Sequence, residues 1–111
     1  MRDGMDERRK AFEEKWVHDE ELRFRVHARW AKLAGLWAAD LIGLSGQAAQ
    51  EYAAACVVED VDKDGDAHVE AKIAADLDNA KAPVSDMEIK HQLDNLRMTA
   101  REQIMNEVRE F

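Results

Sequence analysis

The acidic run Asp60-Val61-Asp62-Lys63-Asp64-Gly65 is the stretch of this 111-residue sequence whose spacing points to metal chemistry. Oxygen ligands at the first, third and fifth positions, with glycine at the sixth for a sharp turn, begin an EF-hand calcium loop. The pattern then stops. The twelfth position, where a bidentate glutamate closes such a site, is Ala71, and Glu70 falls one residue early. Asp60, Asp62 and Asp64 are therefore the only candidate cation ligands, in a run that reads more simply as a solvated acidic loop ahead of a helix N-cap. No resident metal is expected.

The histidines His18, His27, His68 and His91 include no pair three or four residues apart and no HExxH. They do not offer the paired ligand face that zinc chemistry uses on a helix. Cys56 is the single cysteine, so no internal disulfide can form. It lies on an apolar helical face, where a thiol fills core, and no local pattern supplies it with a base. No Walker A motif and no GxGxxG after a strand is present, so an ordinary nucleotide cradle is missing. The sequence predicts a protein that is not an enzyme and holds no cofactor.

Phe12 and Trp16 are a different kind of constellation. One helical turn apart, they make a short apolar stripe in a segment that is otherwise charged. Two roles are open for them. They could fold back as the last turn of a core stripe, since Trp16 precedes Leu22 by only six residues. Alternatively they could anchor a helix in a partner's groove, where two buried aromatics contribute about 1.5–3 kcal/mol each. Charges of both signs around them would then fix orientation and register.

Composition narrows the setting. Lys plus Arg number 16 against 24 for Asp plus Glu, a formal charge of -8. A duplex-binding surface must neutralise phosphates, so a nucleic-acid partner is not expected. The uncharged stretches Leu33–Ala39, Leu41–Gln50 and Tyr52–Val58 all fall well short of the ~18 residues a membrane helix requires. Residues 1–10 are almost wholly charged, without the apolar segment of a secretory signal. A soluble, cytoplasmic protein without direct membrane insertion is expected, in keeping with the lone thiol.

One proline and five glycines leave little punctuation for strands, and the spacing of apolar residues is helical. Leu22, Val26, Trp30, Leu33, Trp37 and Leu41 advance by three or four and predict a long first helix with one apolar face. Gly43 and Gly46 around Ser45 predict a stop and a new N-cap. Gly35, inside the pattern, marks a close helix contact. The second helix is expected from about Gln47 to Glu59, with Ala49, Tyr52, Ala53, Cys56 and Val57 inward and the acidic run ending it. Asp66 then caps a short third helix with Val69, Ile73 and Leu77 inside. Pro83 disfavours helical geometry at Ala82. Ser85-Asp86-Met87-Glu88 is a capping box opening a fourth helix, whose inner positions are Ile89, Leu93, Leu96, Ala100, Ile104 and Val108.

The fold class is thus all-α: a compact four-helix bundle over 19–111 with a flexible N-terminal arm over 1–18. The arm holds too little apolar surface to offset the entropy of being ordered, so it is expected to fray when free and become helical when docked.

The run from Asp6 to Arg25, with Glu7-Arg8-Arg9-Lys10-Ala11-Phe12 and Glu20-Glu21-Leu22-Arg23-Phe24-Arg25, resembles the zeta-subunit family of bacterial F-type ATPase inhibitors. So do Gly35-Leu36-Trp37-Ala38-Ala39, Gly43-Leu44-Ser45-Gly46, Tyr52-Ala53, Val84-Ser85 and Ala100-Arg101-Glu102-Gln103-Ile104, in order along nearly the whole chain. The resemblance implies a helical bundle whose N-terminal segment inserts at a catalytic alpha/beta interface beside the gamma subunit and blocks ATP hydrolysis mechanically. It implies Phe12 and Trp16 as apolar anchors, with Arg8, Arg9, Lys10, Glu13, Glu14 and Lys15 making polar contacts. It also implies a location peripheral to the inner membrane through the ATP synthase. Trp16 differs from the smaller phenylalanine expected there, and Trp30 from a polar residue. The competing readings are a helical adaptor that leaves the ATPase alone, and a single-site calcium module resting on Asp60–Gly65.

Overall fold

The computed structural model describes residues 20–63 and 66–109, which form α1 (Glu20–Ile42), α2 (Gly46–Lys63), α3 (Asp66–Asn79) and α4 (Asp86–Arg109). Among the described residues there is no strand. Helix α1 is the spine. It packs against all three other helices, chiefly α2 and α4, while α3 lies across the gap between them.

The core takes Leu22, Val26, Trp30, Ala31, Ala34 and Ala38 from α1, Cys56 from α2, Val69, Ile73 and Leu77 from α3, and Ile89, Leu93, Ala100 and Ile104 from α4. Leu33, Trp37 and Leu41 are half-buried and pack at its edge. In its second half α1 therefore turns a face of alanines, not large residues, to the deepest part of the bundle. The reason is the approach of α2. A Cβ placed on Gly35 would lie 2.7 Å from the Ala53 Cα and 3.2 Å from the Cys56 Sγ. Glycine lets the two backbones meet there, which offsets its lower helix propensity of about 1 kcal/mol relative to alanine.

The helix ends are written locally. Gly43 adopts a φ of 98°; its N–H bonds Asp40 O at 3.2 Å, and Leu44 N–H bonds Ala39 O at 2.9 Å. This is a Schellman stop. Helix α3 ends the same way, with Lys81 N–H on Asp78 O and Ala82 N–H on Leu77 O, both at 3.0 Å. Here the left-handed position, φ 55°, is taken by Lys81 instead of glycine. The capping box of α4 is formed in both directions: Ser85 N–H donates to Glu88 Oε1 and Glu88 N–H donates to Ser85 Oγ, each at 3.1 Å.

One boundary is corrected. Helix α2 does not end at Glu59 but continues to Lys63. Acidic residues do not terminate a helix by themselves, and the chain has no breaker before Gly65. Asp60, at 8% exposure, lies on the buried side of the added turn. Among the described residues, no helix is long and apolar enough to cross a membrane.

Candidate functional site

The arm residues Arg8, Arg9, Lys10, Phe12, Glu13, Glu14, Lys15 and Trp16, and the boundary at 18/19, lie outside the described residues. What the structure describes is the platform to which they are joined. Helix α1 begins with Glu20 and Glu21, whose charge complements the positive end of its dipole. Leu22 and Val26 bury on the inner side of these first turns. On the flank, Arg29 donates to Glu107 Oε1 at 2.7 Å and to Gln103 Oε1 at 2.8 Å, and Arg25 reaches Glu107 Oε2 at 3.3 Å. The hydrogen bond from Arg29, reinforced by the charges of Arg29 and Arg25, holds the Glu107 carboxyl below its ordinary pKa. These contacts clamp the start of α1 to the last turns of α4.

The outer side of the same turns is different. Phe24 is 55% exposed and Arg23 is exposed beside it. No described group pairs with Arg23.

A second polar cluster ties α1, α3 and α4 together in mid-bundle. The Arg97 guanidinium donates through Nε to Asp66 Oδ2 at 3.1 Å, through Nη1 to Asp94 Oδ1 at 2.7 Å, and through Nη2 to Glu70. Its central carbon lies 4.4 Å from the centre of the Trp30 ring. Burial draws the Arg97 pKa down, but Glu70 and Asp66 outweigh it and hold the guanidinium above its ordinary value. His27 Nδ1 lies 3.0 Å from the other Asp66 oxygen. Asp66 is the first residue of α3, but both its carboxylate oxygens are engaged by side chains of α1 and α4 rather than by the backbone of its own helix.

The other sequence candidates are dispersed. Asp60 and Asp62 belong to α2, so the first half of the calcium-loop pattern is helical instead of looped, and Asp64 lies outside the described residues. His68 and His91 are exposed and separate, and His18 is outside the described residues. Among the described residues no three His, Cys, Asp or Glu side chains are grouped to hold a metal. Cys56 is fully buried, and burial pushes its thiol up to about 11. It stays protonated and shielded, the opposite of an activated nucleophile. Tyr52 donates to Asp76 Oδ2 at 2.7 Å, and Lys72 both pairs with Asp76 and lies over the Tyr52 ring at 4.9 Å. Burial, then that hydrogen bond, pushes the Tyr52 phenol pKa far up. This cluster joins α2 to α3.

The described surface also carries open, mostly apolar clefts, of which two lie along α1. One, between the end of α1 and the start of α4, is lined by Trp37, Leu41, Pro83, Val84, Met87 and His91. The other lies along α1 and α2 beside Lys32, Ala54, Val57 and Val58. Neither gathers the convergent polar groups that a small-molecule site uses. The clamps of Glu107 and Arg97 escaped sequence reasoning because their partners are 27 to 82 residues apart. Only Asp94 and Arg97, one turn apart on α4, carry a local signal.

No curated protein matches this sequence. A family model described as ATPase inhibitor subunit zeta, however, matches residues 1–103, taking in the arm as well as the helices that carry it. The chain thus belongs to the ATPase inhibitor subunit zeta family, regulatory proteins that act on an ATPase.

Proposed function

We propose that this chain restrains ATP hydrolysis by a bacterial F-type ATP synthase, using residues 1–18 as a plug and the four-helix bundle as its mount. The observation that carries the reading is the family match across residues 1–103, which takes in the arm as well as the bundle. The plug enters a catalytic alpha/beta interface beside the gamma subunit, where a rigid helix stops the rotation that hydrolysis drives. Phe12 and Trp16 bury in the interface, and Arg8, Arg9, Lys10, Glu13, Glu14 and Lys15 set its register. The arm orders only on binding, so part of the interaction energy offsets its ordering entropy. The clamped start of α1 limits that cost to the arm itself, because the mount is already folded. The protein is held on the cytoplasmic side of the inner membrane by the enzyme it inhibits.

The subunits in contact are tested by crosslinking. A photoreactive group at position 11, attached through Ala11→Cys in a Cys56→Ala background, should label beta and gamma subunits of the catalytic head. The same group at an outer α3 position, through Ala75→Cys, should label them far less. Equal labelling from both positions would contradict insertion of the arm.

A further inference from the structure

The cleft between the end of α1 and the start of α4 has a volume of about 530 Å³ and two unlike walls. One wall is apolar, made by Trp37 and Leu41 of α1 with Pro83 and Val84 of the connecting segment. Trp37, Leu41 and Val84 are half-buried and pack against the core, so this wall is an extension of it. Pro83 has a fixed φ, and Val84 N–H donates to Ala82 O across it at 2.8 Å. The capping box pins the start of α4 beside them. The other wall is one face of α4, with Glu88, His91 and Gln92 three and four residues apart. Met87 stands at the mouth and, at 81% exposure, is the most exposed of the described large apolar side chains. Its unbranched thioether can adapt to a side chain that enters.

Charge decides what that side chain is carried on. Glu88, on the α4 wall, and Asp40, next to Leu41, are both exposed carboxylates. The cap uses Glu88 Oε1, and the second oxygen is outside it. Helix α1 ends here with no basic residue in its last turn, which leaves the negative end of its dipole unopposed by its own side chains. Of the bases close in sequence, Lys90 lines a different cleft with Asp86 and Glu70, and Lys81 is a single charge on the connecting segment. Around the mouth lies a chain of formal charge -8. A segment bearing lysine or arginine is drawn to such a mouth, whereas a second copy or an anionic lipid surface is repelled.

We infer that this cleft is a docking site for a basic segment of another protein. A large apolar side chain of that segment, aromatic or leucine, enters between Trp37 and Met87, and the flanking lysine or arginine pairs with Glu88 and Asp40. The site is independent of the plug reading, because it uses no residue of the arm.

The probe is a short synthetic peptide with one phenylalanine between lysines. It is titrated into the full chain while the Met87 methyl and Trp37 indole resonances are followed by NMR. Two control peptides replace the phenylalanine by alanine or the lysines by glutamate. Saturating shifts at both resonances with sub-millimolar phenylalanine peptide, and with neither control, are the expected result. Met87→Glu should raise the half-saturation concentration about tenfold, and Met87→Leu should keep it within about twofold. No saturation by the phenylalanine peptide would overturn the inference. Equal shifts from the alanine peptide would reduce it to diffuse charge attraction, and equal binding of the glutamate peptide would remove the role of charge; either result defeats it. Unchanged affinity in Met87→Glu, with helical content intact by circular dichroism, would place the peptide elsewhere. A Met87 methyl shift that grows with protein concentration alone, or on adding phosphatidylglycerol vesicles, would give the cleft to a second copy or to lipid and contradict the inference as well.

Discussion

The Arg97 guanidinium covers the face of the Trp30 ring at 4.4 Å, while the indole Nε1 donates to Leu93 O at 2.9 Å. Trp30 is 1% exposed, so its one polar atom is satisfied inside the core and its ring is sealed by a cation instead of a side chain of the apolar set. The same guanidinium holds Asp66 and Glu70 at the start of α3. One contact thus fixes three helices against one another.

Arg97→Ala removes that lid and leaves Asp66 and Glu70 without their shared cation. The expected loss of stability in urea unfolding is about 1–3 kcal/mol, discounted because the side chains are about a third exposed. Arg97→Lys keeps the charge but not the fork, and should recover only part of it.

Gly35→Ala would raise helix propensity by about 1 kcal/mol in an isolated helix. In the bundle it should destabilise, by about 1–3 kcal/mol, because the new methyl meets the Ala53 Cα and a backbone must shift. Thermal unfolding decides the sign, and an increase in midpoint would show that α1 and α2 are looser than described.

Lys81→Gly should act in the opposite direction. Lys81 holds a left-handed conformation that glycine adopts without strain, and its N–H stays in the Schellman pattern. A gain of about 0.5–1 kcal/mol is expected.

Glu107 contributes to the pH dependence of stability. Its folded-state pKa is lowered, so the unfolded chain takes up this proton first as pH falls. The stability it contributes is present above the unfolded glutamate value and is lost as pH drops through the depressed folded value. Following the Glu107 carboxyl by NMR should give a midpoint below that of an unpaired glutamate, and Arg29→Gln should move it upward. The change should loosen the α1–α4 clamp in hydrogen exchange.

What was legible in the sequence was what short range determines. The capping box at Ser85 and Glu88, the stop at Gly43 and the inward positions Val69, Ile73 and Leu77 all follow from residues within a turn or two of one another. Gly35 was readable as a close contact, though not its partner. The depth of Ala31, Ala34 and Ala38 was not readable, since alanine carries little hydropathic contrast and its burial depends on how near α2 approaches. The end of α2 lies past the expected Glu59 because charge alone does not break a helix. Arg29 with Glu107 and Arg97 with Glu70 needed the fold to bring them together. Of the proposed anchors, Phe12 and Trp16 stand out by their spacing in a charged segment. The exposure of Phe24 was hidden behind the stronger Leu22–Val26–Trp30 stripe on the other side of the same helix.

On the plug reading the arm, not the bundle, stops hydrolysis. The direct measurement is ATP hydrolysis by the isolated catalytic head of the cognate F-type enzyme, titrated in parallel with the full chain and with a chain lacking residues 1–17. Inhibition by the full chain alone, with both proteins equally helical, is the expected result. Equal inhibition by both would place the active surface on the bundle and contradict the account.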